Sequence, residues 1–458
     1  MMKKILCISL IIFVIVANLN AQCWKKISGG GDHSIGLKTD GSLWVWGQNY
    51  YGEIGDSSNL NSSIPVQIGY ETHWNKISGG TYHSVAIKDD GTLWAWGLNS
   101  TGTLGDGTTI NRNIATQIGS SNEWVQISGG GNHTLALKLN GTLWAFGGNF
   151  AGQLGDGTSS NSLIPSQIGN GANWGQISCG ATYSTAIKTD GTLWTWGDNT
   201  FGQLGNGNNT SISIPMQIGM STDWSKISAG NNFTCAVKTN GTLWAWGYNS
   251  NGQLGIGSIT DSNIPVQIGN GSMWGQITCG GDHSLGLKTD GTLWAWGSNS
   301  MGQIGDATNT DKNIPTQIGN ATDWNFVSAS DWHHSMALKT DGTLWTWGYN
   351  SNGQLGNNAT SNENSPIDIL CPTIGIQESN MDQVIIYPNP SHGKFIVSNS
   401  EQIIEAISIY STFGERIFTS LALHCSWIEI DLSSQANGIY FFEIQGFNGV
   451  ITKKIILY

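Results

Sequence analysis

Apolar positions along this chain fall into short runs that return at a fixed interval. Tryptophan stands at Trp24, Trp74, Trp124, Trp174, Trp224, Trp274 and Trp324, 50 residues apart each time. Each opens a run W-x-x-I-S. A run of the type H-S-x-A-L-K follows, then L-W-A-W-G, then a polar stretch, then I-P-x-Q-I-G. The copies extend from residue 24 to about 370, and the last carries one extra residue around Asp331–Trp332. Four short β-type runs per copy, each bounded by glycine or polar residues, predict four antiparallel strands. Glycine- and aromatic-rich units of this length mark propeller blades. The pattern predicts an all-β fold: a seven-bladed β-propeller of four-stranded blades over residues 23–370, with almost no helix.

Between the second and third runs every copy has Asp or Asn followed by Gly, from Asp40-Gly41 to Asp341-Gly342. Such pairs suit a two-residue type I′ hairpin turn, which needs positive φ at both central residues. On that register Leu37 lies opposite Trp44 and Ile35 opposite Trp46, all on one face. Gly36 and Val45 share the other. One face of each blade is then bulky and the other small, so that blades nest large into small around a closed ring.

The period stops after Cys371. Residues 371–384 read as a polar linker and 385–458 as a small C-terminal β-sandwich of alternating strands. At the other end, residues 1–21 carry Lys3 and Lys4, a 13-residue apolar core from Ile5 to Ala17, and small residues up to Ala21. This is the pattern of a secretory signal peptide cleaved between Ala21 and Gln22. The apolar core falls short of the roughly 20 residues of a membrane span, and no stable membrane span is expected elsewhere. Export permits disulfides. Cys23 stands just before the first copy and Cys371 just after the last, points that meet in a closed ring, so Cys23–Cys371 is a candidate disulfide. Composition narrows the partners. The 458 residues include 19 Lys and Arg against 31 Asp and Glu, a net charge of −12. Phosphate backbones need clustered cations, so no nucleic-acid partner is expected.

Three motifs recur: G-x-x-H-S/T-x-A-L (Gly30–Leu37, with Gly36 at the Ala position), D-G-x-L/V-W/Y-x-W-G (Asp90–Gly97) and N-x-x-G-Q-L-G (Asn149–Gly155). They closely resemble the regulator of chromosome condensation repeat family. The resemblance implies a seven-bladed propeller but no single function, since members serve as nucleotide exchange factors, light sensors or scaffolds. The exchange role requires an inserted wedge or partner-specific loops. The near-equal copies here lack them, so that role is not carried over. The tail has Tyr-Pro-Asn-Pro from Tyr387, an I-x-I-Y strand, a G-I-Y strand and a terminal K-K-I-x-L run. It resembles the type A C-terminal sorting domain of the type IX secretion system of Bacteroidetes bacteria. That implies a partner, the type IX machinery acting on residues 385–458, and a location that is secreted or on the outer cell surface.

Chemistry-bearing residues mostly follow the repeat. His33, His83, His133, His283 and His334 share one position, which Tyr183 and Phe233 fill in two copies. Aromatic replacement favours a strand histidine bonded to its own blade's backbone over a metal ring. Lys38 and its equivalents are expected to lay their stems on the hairpin with the ammonium in water. The G-D-G tracts lack the carboxylates of a calcium loop. No nucleophile elbow, H-E-x-x-H run or phosphate loop occurs, and no acid pair unique to one blade stands out. No catalytic residue, metal or cofactor is therefore expected. The loops after W-G vary freely, and Tyr50, Tyr51, Phe150, Phe201 and Met301 there are candidate contacts for a ligand. The resulting expectation is a non-enzymatic propeller that binds an extracellular protein or glycan. The alternatives are a carbohydrate-active propeller enzyme, which needs a cluster of unlike polar residues at one channel mouth, and a purely structural surface protein.

Overall fold

In the first copy, β1 (Trp24–Gly29), β2 (His33–Lys38), β3 (Leu43–Gly47) and β4 (Ser62–Gln67) form one antiparallel sheet in that order. The computed structural model of the chain describes residues 23–271, 273–371, 384–399, 404–411, 416–446 and 449–458. It repeats this sheet in seven blades, the last running from Trp324 to Ile369. No helix occurs among the described residues. The expected signal peptide, with Ala21 and Gln22, and linker residues 372–383 lie outside them.

The hairpin between β2 and β3 departs from the expected turn. Lys38 N donates to Ser42 O at 3.0 Å and Gly41 N to Lys38 O at 3.1 Å, which closes a three-residue loop. Gly41 alone has positive φ, +83°, and the six equivalent glycines behave alike. This is a type I turn followed by a left-handed glycine, not a type I′ turn. Aspartate or asparagine is needed for its side chain instead. Asp40 Oδ1 accepts from Ser42 N at 2.8 Å and Ser42 Oγ at 2.6 Å, and Ser42 Oγ accepts from Trp44 Nε1 at 2.9 Å.

The longer loop shifts the register by one, and in a strand one residue exchanges faces. Gly36 pairs with Trp44, Ile35 with Val45 and Leu37 with Leu43, which corrects the expected pairing of Leu37 with Trp44 and Ile35 with Trp46. Each blade thus has an indole face and an aliphatic face. The small residue of β2 makes room for its own blade's tryptophan: a Cβ on Gly36 would run into the Trp24 ring. The aliphatic face, Ile35, Leu37, Leu43 and Val45, packs on Trp74, Trp96 and Ala86 of the second blade. The same contact closes the ring, where Met336, Leu338 and Leu344 of the seventh blade meet Trp24, Trp44 and Trp46 of the first. Trp46 and its equivalents are fully buried. At about 25 cal/mol per Å2 over roughly 150–250 Å2, each indole contributes up to about 4–6 kcal/mol of apolar transfer.

Polar groups lock the same interfaces. Gln354 O accepts from Ser34 Oγ at 2.8 Å and Trp46 Nε1 at 2.9 Å across the seventh-to-first seam. Glu53 O accepts likewise from Ser84 and Trp96, and Gln153 O from Ser184 and Trp196. The histidines join this network, bonding the next blade rather than their own backbone as expected. His33 Nε2 lies 3.0 Å from Ser84 Oγ, and His334 Nε2 lies 2.9 Å from Ser34 Oγ. Each hydroxyl spends its one proton on the carbonyl, so Nε2 carries the imidazole proton and donates. Burial pulls His33 down to about 4 and His133 to about 3, which keeps both neutral. Tyr183 takes over in its copy, with its hydroxyl 3.0 Å from Thr234 Oγ1. The repeat lysines also depart from expectation: Lys38 is nearly buried, its Nζ 3.9 Å from the Trp44 ring centroid.

The chain divides into two compact units, one ending at Cys371 and one beginning at residue 372. In the second unit, Val384–Tyr387, Lys394–Asn399 and Trp427–Asp431 form a three-stranded sheet. Ile404–Ser411, Arg416–Cys425, Gly438–Gly446 and Gly449–Leu457 form a four-stranded one. Phe395 of the first packs 5.7 Å from Phe442 of the second, within a core that includes Val397, Ile407, Ile409 and Ile455. The expected linker is structured at both limits: Cys371 is disulfide-bonded and Val384 begins a strand.

Cys23 and Cys371 are bonded, with Cα atoms 6.0 Å apart and a sequence separation of 348. Loop-closure entropy puts the stabilisation of so long a loop at about 6 kcal/mol. The C23S/C371S variant is therefore expected to unfold at a clearly lower urea midpoint than the oxidised chain, and reduced wild type should match it. Equal midpoints for oxidised wild type and variant would show that the ring closes without the bond.

Candidate functional site

The loops between the first and second strands of all blades meet at one end of the propeller axis. A closed ring of backbone bonds joins them. Gly31 N donates to Thr81 O, Thr81 N to Gly130 O, Gly131 N to Gly180 O and Ala181 N to Asn231 O. Asn231 N continues to Gly280 O, Gly281 N to Ser330 O, and Asp331 N returns to Gly30 O at 2.9 Å. Backbones approach so closely that glycine is required: a Cβ on Gly30 would sit 2.7 Å from Gly80 O. This loop end is therefore tightly closed. The residues just beyond the ring, such as Tyr82, Asn132, Asp282 and His333, are unlike in type and partly exposed.

Sevenfold repetition breaks most where the seventh, first and second blades meet. The extra residue of the last copy lets Asp331 reach several blades. Its carboxylate accepts from Thr81 Oγ1 at 2.9 Å, and its carbonyl accepts from Asn231 Nδ2 at 3.1 Å. Next to it, Trp332 meets Tyr82 edge-on at 5.6 Å, and Tyr82 meets Tyr51 edge-on at 5.5 Å. These three rings make a partly exposed aromatic line from the seventh blade to the first.

Two carboxylates lie beneath it. Asp32, 3% exposed, accepts from Asn352 Nδ2 and Gln354 Nε2, each at 2.9 Å. Glu53, 0% exposed, accepts from Tyr51 N at 2.8 Å and Gln48 Nε2 at 3.2 Å. Burial outweighs these bonds and raises Asp32 to about 6 and Glu53 to about 7. Burial also raises Asp331 to about 6 despite the Thr81 hydroxyl. Tyr82 is pushed up by burial and then by Tyr51, Asp32 and Glu53. No group of three or more His, Cys, Asp or Glu able to hold a metal occurs among the described residues. The G-D-G aspartates serve their own loops: Asp106 accepts from Asn99 Nδ2 and Thr108 N.

Of the residues singled out from sequence, Tyr51 joins this line. Tyr50 and Phe150 stand at loop tips, 62% and 67% exposed. Phe201 packs against Tyr248 at 4.7 Å, and Met301 Sδ lies 3.5 Å from Asn362 Nδ2. Among the described residues, the ring contact of Tyr51 is with Tyr82, and none of these four takes part in it. Sequence reasoning missed Tyr82, Trp332, Asp32, Asp331 and Glu53. The available signals were the inserted residue of the last copy and Glu53, which stands where five of the other copies have the Gln of G-Q-L-G and the second has Thr103.

The RCC1-like domain family (WD40_RLD) matches residues 9–225 and 175–384, and the secretion system C-terminal sorting domain matches residues 385–458. A curated relative, the ultraviolet-B receptor UVR8 of Arabidopsis thaliana, is 41% identical over 46 residues, 10% of this chain and 10% of that protein. The chain thus spans about a tenth of that relative's length. Among solved structures, human WBSCR16 superposes with a TM-score of 0.66 at 20% identity, covering 75% of this chain and 96% of that one. Yeast RCC1 (Prp20), in its complex with Kap60, gives 0.65 at 20% identity, covering 77% and 86%. At such identity these likenesses speak for the fold alone. The sorting domain marks the protein for type IX secretion to the outer cell surface. Among the described residues no helix is long and apolar enough to cross a membrane. The chain belongs to the RCC1-like domain family and carries a type IX C-terminal sorting domain behind its propeller.

Proposed function

We propose that this is a non-enzymatic surface propeller that binds an extracellular protein or glycan at its loop end. The observation that carries the reading is the line of Tyr51, Tyr82 and Trp332. Elsewhere in the propeller the tryptophans are packed between and within blades, but these three rings lie at the loop end and keep part of their surface in water. Aromatic rings with a polar edge supply contact area at low entropic expense. Amide and carboxyl groups around them give the directional bonds that a protein or sugar surface requires.

A second reading, a carbohydrate-active enzyme, draws on Asp32 and Glu53, two raised carboxyls near one surface. Their surroundings argue for a structural task. Gln153 Oε1 accepts from Ala151 N at 3.0 Å, as Glu53 Oε2 accepts from Tyr51 N at 2.8 Å. A protonated Glu53 thus imitates glutamine, and neither carboxyl faces open solvent.

Two experiments separate the readings. The secreted chain, tested on a glycan array and in pull-downs from the cell's extracellular milieu, is expected to retain a saturable ligand. The Y82A/W332A variant should lose it while melting within a few degrees of wild type. Unchanged binding by that variant, or release of sugar product by wild type, would overturn the proposal. The E53Q variant tests the acid directly. Glu53 titrates near 4.5 unfolded and about 7 folded, so its contribution is present below 4.5 and lost as pH rises to about 7. E53Q should therefore match wild type at acid pH and exceed its stability above pH 7 by about 3 kcal/mol. A variant no more stable at pH 8 than wild type would contradict the structural role.

A further inference from the structure

The other end of the axis, where the Asp-Gly turns lie, is open and has the opposite character. The third residue of each blade's first strand faces the bore. Lys26, Lys76 and Lys226 occupy three of these places, glutamines three, and Phe326 the last. Gln126, Gln176, Lys226, Gln276 and Phe326, from five blades, line one cavity of about 750 Å3. Lys76 and Gln126 line an adjoining one of about 680 Å3.

Charge and hydrogen bonding make this bore selective. The chain carries a net charge of −12, yet no ion pair joins Lys26, Lys76 or Lys226 to a carboxylate among the described residues. Lys26 Nζ donates to Asn75 O at 2.9 Å. Burial, and then the neighbouring ammonium of Lys76, pull Lys26 down to about 8. Like charges held together in a bore favour an anion that offsets both. The glutamines add a second requirement. Gln176 Nε2 donates to Ser225 O at 2.6 Å and Gln276 Nε2 to Val327 O at 3.2 Å. With nitrogen anchored to the next blade, each amide offers its Oε1 to a donor. Sulfate only accepts, and phosphate near neutral pH has just one or two O–H groups to donate, so neither ion satisfies several such oxygens. A ligand with one carboxylate and several hydroxyls satisfies both sets, and Phe326 provides an apolar face for a sugar ring.

We propose that the turn-end bore binds an acidic sugar, with its negative charge offset by Lys26, Lys76 and Lys226 and its hydroxyls on the glutamine carbonyls. This site is independent of the loop-end reading and rests on the opposite mouth of the propeller.

The test is calorimetric titration of the secreted chain with an oligogalacturonate, its neutral galactose counterpart, and inorganic phosphate, at low and at physiological salt. The oligogalacturonate is expected to bind, more weakly at the higher salt, and the other two at least tenfold more weakly. The K76Q/K226Q variant should lose at least tenfold in affinity for it. These side chains face the bore and lie outside the blade interfaces, so the variant should melt as wild type does. The Y82A/W332A variant should bind the oligogalacturonate unchanged, which separates failure here from failure at the loop end. No binding of the oligogalacturonate, equal binding of the neutral sugar or of phosphate, or undiminished binding by K76Q/K226Q would overturn the proposal.

Discussion

One backbone carbonyl per blade, that of Gln354 and its equivalents, accepts both the indole N–H and the hydroxyl of the following blade. In the copy with Phe146, Thr103 O accepts the Thr134 hydroxyl alone. The rest of the propeller depends on this junction. A blade that is apolar on both faces is stable only with a neighbour on each side, so the stack has to end or close. Here the last aliphatic face meets the first indole face and the same bonds form as at every other seam. The Cys23–Cys371 bond ties the ends covalently at that place. Buried hydroxyls and imidazoles find partners only when the adjacent blade is in register, which turns apolar stacking into a fixed geometry.

Repeat number, strand number and the ring were legible because they follow from periodicity and residue type, which are local. The hairpin register was not. Asp40-Gly41 reads equally as a two-residue turn and as the end of a three-residue loop. Only the side-chain bonds from Ser42 to Asp40 and from Trp44 to Ser42 decide between them. That slip of one moved the tryptophans to the face they share with Gly36 and hid why small residues stand there. Histidine was misread for a related reason. Its partner is a hydroxyl about 50 residues away in the chain, which no local window contains. At the loop end Tyr51 was visible as a variable aromatic. Its companions Tyr82 and Trp332 come from the second and seventh blades and meet only after the ring has closed.

The two mouths of the axis emerge with different chemistry from one repeated unit. At the loop end, glycine-to-glycine contact seals the channel, and substitutions there spread aromatic and acidic side chains over a closed surface. At the turn end, third residues of the first strands line open cavities and include cations with no carboxylate partner among the described residues. A scaffold whose interior residues are committed to packing can vary only at such mouths. Variation at them is free of the packing constraint that fixes the rest of each blade.

The central claim is that the blades are fastened into one ring and open together. Hydrogen exchange of the secreted chain measures it at the amides of the axial ring, Gly31, Thr81, Gly131, Ala181, Asn231, Gly281 and Asp331. A fastened ring makes all of these exchange with one common free energy, equal to that of global unfolding of the propeller. Separate, lower values for individual blades would contradict it.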